Sequence, residues 1–345
     1  MISTQQGSRK LERVGDNKQK NIMKKVFKSI TVILMATTVL SSCKKADTTQ
    51  VADNFDNFIA TQQSPVQTFT VNASTGGLIN CTGGTKITFP ANWAVNADGT
   101  AFTGDAVITV QESIKKSQWM MDGLSTATQG DMLVTGGMLN LVAKRKDNGA
   151  ELKPAPAMQV PNTNLAAVIK AEVPRNKDVQ RDLLLFLPDT TNGNPTVPET
   201  KPPTGWYASN YYPFGNGVNS YIFQLPKFHW VNCDGLANQP GTKTTIKVTP
   251  NMSAFGGATA IQVMLVYRTI NTVITLPPKT GYFESYTNSI PVGSVADVVL
   301  IGKAANGGIL FKVLSANTFT ALQNISITPA SATAADVMAY LNSVN

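Results

Sequence analysis

Charge is scarce in this 345-residue chain: Asp, Glu, Lys and Arg make up 14% of it, against the usual quarter for a soluble domain. Histidine occurs once, at His229, and cysteine three times. Leaving Cys43 aside, the one histidine and the two separated cysteines Cys81 and Cys233 cannot supply the four ligands of a structural zinc site. No Gly-x-Ser-x-Gly elbow, P-loop or dinucleotide fingerprint is present, which removes the usual signals of serine hydrolases, nucleotide hydrolases and nicotinamide enzymes. No repeat period and no heptads occur. The longest apolar run of note, Ile30 to Leu40, is eleven residues; a helix crossing a bilayer needs about 20.

The short run has the setting of a cleaved leader. Met23 to Cys43 reads MKKVFKSITVILMATTVLSSC. Lys24, Lys25 and Lys28 form a basic start, Ile30 to Leu40 an apolar centre, and Leu40-Ser41-Ser42 places small residues before Cys43. This segment resembles bacterial lipoprotein leaders, with Leu40 to Cys43 at the lipobox. The resemblance implies a signal peptide over 23–42 and a Cys43 that carries diacylglycerol and becomes the new N-terminus. Several acyl chains, palmitate among them, would then hold the protein at about 0.8 kcal/mol per buried CH₂. Residues 1–22 are polar and precede an adequate start at Met23, so they are expected to be an upstream extension that is not translated. Lys44 and Lys45 follow Cys43 where an aspartate would favour inner-membrane retention, which points to the outer membrane, with either face open. Residues 43–64 are expected to be a flexible tether with one short helical turn at most.

The leader also explains the net charge of +8. Residues 1–43 hold eight of the 29 basic and two of the 21 acidic residues, which leaves 21 against 19 and a net +2 for the 302 residues that follow. A basic footprint for nucleic acid is therefore not expected. Cys81 and Cys233 could pair in an oxidising compartment. Against that, they fall in different expected domains, and free buried cysteine is common.

Short alternating runs recur along the chain: Val66 to Val71, Lys86 to Phe89, Ala106 to Val110, Met138 to Val142, Ala166 to Val173 and Leu183 to Leu187. Turn signals separate them: Gly76-Gly77, Gly83-Gly84, Asp98-Gly99, Gly136-Gly137 and Asn148-Gly149. That grammar predicts a β-sandwich over 65–187. Lys115 to Leu124 is less regular and reads as a loop or short helix. Residues 188–205 carry five prolines and almost no apolar residues, so they are expected to link two domains. A second β-rich domain over 206–345 follows, with strands at Tyr221 to Leu225, Thr244 to Thr249, Ala260 to Tyr267, Val273 to Leu276, Val295 to Ile301, Ile309 to Leu314 and Asn324 to Thr328. Gly302 to Gly308, with Asn306-Gly307, reads as a hairpin connection. Ser331 to Val344 reads as a C-terminal helix capped by Ser331 or Thr333, with Asp336 in its first turns. The expected fold class is mostly β.

Residues 76–112 order a Gly-Gly pair, a strand, a Gly turn, a strand, Phe89-Pro90-Ala91 and a Val-x-Ile-x-Val strand. This order resembles the start of the ZU-type β-sandwich of ankyrins and netrin receptors, although Pro-Ala-Asn-Trp-Ala replaces the usual Pro-x-Gly-Ala. Some ZU proteins cleave themselves at His-Phe-Ser; here no such tripeptide occurs. The Thr-Lys-Ile-Thr-Phe-Pro-Ala-Asn block, the Thr135 to Met138 block and Trp230-Val231-Asn232-Cys233-Asp234 together resemble uncharacterised secreted bacterial lipoproteins. That resemblance implies architecture, not chemistry.

Three groups of residues invite a functional reading. His229, Cys233 and Asp234 could form a nucleophile, base and orienting acid. In an extended segment, however, positions 229 and 233 stand ~13 Å apart, so core packing is the favoured reading. Asn96 to Thr100 could suggest calcium but lacks the further oxygens such a loop needs; a turn is favoured. Trp206, Tyr207, Tyr211, Tyr212 and Phe214 could form a platform for a glycan or protein ligand. The favoured alternative is that Trp206 and Tyr211 staple two domains together. These residues point to a lipid-anchored, non-catalytic binding or structural module with no metal or cofactor. The alternative class is an extracytoplasmic hydrolase with an unrecognised pair of carboxylates.

Overall fold

The computed structural model describes residues 53–345, apart from 162–163, 176–182, 190–202, 204, 210–215, 218 and 254–255. The expected extension, signal peptide and Cys43 lie outside these residues. So do Tyr211, Tyr212, Phe214 and most of the Pro-rich stretch.

The chain is mostly β, as its alternating pattern predicts. A six-stranded sheet runs in the order Val66–Asn72, Asp105–Ser113, Leu133–Arg145, His229–Leu236, Leu184–Pro188, Trp206–Ala208. A five-stranded sheet, Asn216–Gly217, Ser220–Gln224, Lys170–Pro174, Lys86–Phe89, Gly77–Asn80, belongs to the same half. Inward residues of both sheets, including Ile87, Ile108, Leu139, Leu141, Ala171, Leu185, Phe223 and Val231, share one buried cluster, as alternation across a strand requires. The second half has a five-stranded sheet in the order Thr272–Thr275, Thr259–Tyr267, Val295–Lys303, Ile309–Thr318, Ala330–Ala332. A four-stranded sheet, Pro278–Lys279, Tyr282–Glu284, Lys247–Pro250, Asn324–Ile327, accompanies it.

Strand pairing corrects the expected domain boundary. Residues 188–205 do not separate the sheets. The strands Trp206–Ala208, Asn216–Gly217, Ser220–Gln224 and His229–Leu236 all return to the first half, and the change of sheet falls between Leu236 and Lys243. A Pro-rich composition marks an irregular connection but carries no information on where the chain goes next. The strand expected over Ala166 to Val173 is also shorter. Leu165–Ala167 forms a 3-10 turn, with Asn164 accepting from the Ala166 amide, and the strand begins at Lys170.

Three helices complete the described fold: α1 (Phe55–Gln62), α2 (Lys116–Asp122) and α3 (Ala334–Val344). Helix α1 overturns part of the tether expectation. Asn54 caps it, Phe55 and Phe58 are buried, and the Phe55 amide donates to the carbonyl of Gly307 at 2.9 Å. Asp53 accepts from the Ala334 amide at the start of α3, and Asp56 pairs with Lys303. Residues 53–62 are therefore docked, because two phenylalanines have apolar surface to bury and a partner within reach. Helix α3 begins as its sequence predicts: Thr333 and Asp336 bond each other's backbone amides in a capping box.

Phe55, Phe58, Trp119, Met120, Val337, Leu341 and Val344 from the helices form a second buried cluster with Phe186, Trp206 and Trp230 of the first half. Met264, Val266, Val299 and Ile301 of the second half join it, whereas their neighbours Val263, Leu265, Val298 and Leu300 point to the other core. This explains the unbroken runs VMLVY and VVLI: both faces of these strands are covered, and a strand buried on both faces does not alternate.

Candidate functional site

The sole histidine sits at the start of the His229–Leu236 strand with φ of +69°, a left-handed conformation that a non-glycine residue adopts at some cost. Its Nε2 lies 2.7 Å from Glu151 Oε1, and the Glu151 side chain is 47% exposed. A cavity of about 160 Å³ opens beside them, lined also by Lys153, Gln159, Lys227 and Phe228. A second cavity of about 250 Å³ lies where Lys115, Lys116, Arg268, Asn271, Val344 and Asn345 meet. The Lys116 ammonium donates to the Tyr267 carbonyl at 2.7 Å, and Arg268 Nε donates to Asp297 at 2.8 Å.

The His229, Cys233, Asp234 combination does not assemble. His229 bonds Glu151 instead, and Cys233 points into the sandwich interior, 3% exposed. Burial, and secondarily the charge of Asp234, raise its thiol well above the usual range, so it is no ready nucleophile. Cys81 lies in the same core cluster, and both cysteines are free thiols. Burial followed by Glu112 pushes the Cys81 thiol up to about 12.

Several buried carboxylates are held by local donors. Glu112 accepts from the amides of Gly83 and Thr85 and from Gln67. Asp122, at the end of α2, accepts from the Ser64 amide and hydroxyl, from the Ser113 hydroxyl and from Gln111. Burial still raises its pKa above the ordinary aspartate value, against the pull of those four donors. Asp297 accepts from Arg268, the Tyr340 hydroxyl and the Ala316 amide. Each of these joins separate segments of chain, which is structural work.

Trp206 is 1% exposed and belongs to the cluster between the halves. Its ring nitrogen donates to the Ser125 carbonyl and its amide to the Ala127 carbonyl. The segment so held meets the edge strand Thr272–Thr275: the amide of Thr275 donates to Ser125 Oγ, and the Thr126 hydroxyl and the Val273 backbone bond each other. Trp206 thus fills a boundary and is unavailable as a ligand platform. Tyr207, on the opposite face of the same strand, is 45% exposed.

A constellation that sequence spacing did not reveal lies where Leu133–Arg145 pairs with His229–Leu236. The register shifts between Cys233 and Asp234, so that Thr135 opposes Asp234, Gly137 opposes Cys233 and Gly136 is the extra residue. A side chain at 136 would meet Leu183 Cδ1 at 2.6 Å, and Gly137 has φ of +142°; glycine at both positions permits the bulge. The bulge brings Thr135, Asn232 and Asp234, all fully buried, onto one face. Thr135 Oγ1 donates to Asn232 Oδ1 at 2.9 Å, and Asn232 Nδ2 donates to Asp234 Oδ2 at 2.5 Å. Asp234 Oδ1 is buried without a hydrogen-bond partner. Burial raises the Asp234 carboxyl well above its usual range, partly offset by Thr135 and Asn232.

Among the described residues no group of three or more His, Cys, Asp or Glu side chains is placed to hold a metal ion, and no helix is long and apolar enough to cross a membrane. No family model, curated protein or solved structure matches the chain.

Proposed function

We propose that the protein is a lipid-anchored component of the bacterial outer membrane, held through Cys43, that acts as a non-catalytic binding or structural module. The observation that carries this reading is the Met23 to Cys43 leader, a basic start and a short apolar run ending in Leu-Ser-Ser-Cys. The folded body is consistent with a module of this kind. Its buried carboxylates and cysteines are engaged in packing and hydrogen bonds, and its aromatic residue Tyr207 is exposed for a glycan or protein ligand. The likeness to uncharacterised secreted lipoproteins and to ZU-type sandwiches belongs to the same proposal.

Labelling cells with an alkyne analogue of palmitate tests the anchor. Label should appear on the protein in the outer-membrane fraction and disappear in Cys43→Ala, which should become soluble. Unlabelled wild-type protein would sink the reading.

The second reading, an extracytoplasmic hydrolase, has one specific observation behind it: the exposed Glu151 carboxylate against His229 beside a cavity. Turnover of a glycan or ester panel that vanishes in Glu151→Gln would favour it over the binding module.

A further inference from the structure

We propose that Thr135 and Asn232 become joined by an intramolecular ester bond that ties the Leu133–Arg145 strand to the His229–Leu236 strand, with the Asp234 carboxyl as the proton carrier. The proposal goes beyond the anchoring role and does not depend on it.

The Thr135 hydroxyl and the Asn232 carboxamide are hydrogen-bonded. Thr135 Oγ1 stands 2.9 Å from Asn232 Oδ1, and the carboxamide carbon is one C=O bond, about 1.23 Å, from that oxygen. The Gly137 amide donates to Thr135 Oγ1 at 3.0 Å and fixes its position. Asp234 holds the other end of the same carboxamide through Nδ2. Its second oxygen has no partner although it is buried. An orphaned buried carboxyl oxygen is costly, and here it belongs to the group best placed to move a proton. The site is closed by protein on every side chain involved, so the pair is held without competing water.

The chemistry balances with these three side chains alone. The Thr135 hydroxyl proton passes to the ionised Asp234 carboxylate as Oγ1 forms a bond to Asn232 Cγ. The Cγ–Nδ2 bond then breaks, the same carboxyl returns a proton to nitrogen, and ammonia leaves. Asp234 ends as it began. A side-chain ester replaces a hydroxyl and a carboxamide, and burial protects it from hydrolysis. Burial favours the protonated form of this carboxyl, so its ionised form takes up the hydroxyl proton readily.

The test is a peptide map of the protein purified from the cells that make it. Trypsin should release 117–144, which contains Thr135, joined to 228–243, which contains Asn232. The joined mass should be their sum less one ammonia, about 17 Da. Hydroxylamine should separate them. Thr135→Ser should keep the joint, while Thr135→Val and Asp234→Asn should give the two peptides apart. Recovery of both peptides at unmodified mass from the wild-type protein overturns the proposal. So does an ammonia loss confined to 228–243 that persists in Thr135→Val, since that would be succinimide formation at Asn232. The wild-type map decides the matter even if a variant does not fold.

Discussion

The two halves solve the same packing problem in different ways. The first half closes a six-stranded sheet over a five-stranded one, and its own strands bury their own inner faces. Its interior tolerates carboxylates, with Glu112 and Asp122 each held by loop or strand donors. The second half has a largely aliphatic central sheet whose strands Thr259–Tyr267 and Val295–Lys303 bury apolar residues on both faces, with Asp297 as a buried carboxylate among them. One face meets its own four-stranded sheet. The other is covered by α1 and α2, which precede it by well over a hundred residues, and by α3. The second half is thus completed by elements that the first half's stretch of sequence supplies. The same layer takes up Phe186, Trp206 and Trp230 of the first half, so neither half is self-sufficient.

Four outcomes would break or sharpen that contrast. The largest effect should come from the shared layer. Trp119 is fully buried, and its ring nitrogen donates to the Ser113 carbonyl at 2.7 Å. Trp119→Ala should cost about 3–5 kcal/mol in urea denaturation, and both halves should lose stability together. Loss confined to the first half would mean that the layer does not couple them. Asp297→Ala should be next. It strips three donors of a buried acceptor and loosens α3 through Tyr340. Roughly 2 kcal/mol is expected, since Arg268 is half-exposed and can return to water; amides of α3 should exchange faster.

Asp122 gives a pH signature specific to the first half. Its folded-state pKa lies above the unfolded value. Protonated Asp122 is therefore favoured in the folded state. The associated stability is fully present below the unfolded value of about 3.9 and is lost as pH rises through the folded one. Denaturation between pH 4 and neutrality should show that decline in the wild type and a flatter profile in Asp122→Asn, even if the variant is weaker throughout. Parallel profiles would remove Asp122 from the account. The smallest effect belongs to a loop of the second half. Leu322 is 85% exposed at φ of +53°, so Leu322→Gly should stabilise by no more than about 1 kcal/mol, visible as a small rise in Tm.

Some of this was legible in the residues. The Thr333/Asp336 cap, the Asn306-Gly307 connection and the Val295 to Ile301 strand are local signals, and each takes the expected form. The fate of Phe55 and Phe58 was not legible, because the surface that receives them is built around Gly307 and Ile301, some 250 residues on. The return of residues 206–236 to the first half depends on long-range pairing, which composition does not encode. The Thr135, Asn232, Asp234 constellation needed a register shift at Gly136. Gly136-Gly137 reads as a turn signal in the sequence, but both residues lie inside the Leu133–Arg145 strand, and nothing in the spacing named the partner strand.

The central claim, that the second half is stable only as part of one cooperative body with the first, is tested most directly by hydrogen exchange under increasing denaturant. Amides of Val295–Lys303 and of Leu133–Arg145 should converge on a single opening free energy. Opening of Val295–Lys303 at distinctly lower denaturant, with Leu133–Arg145 still protected, would contradict it.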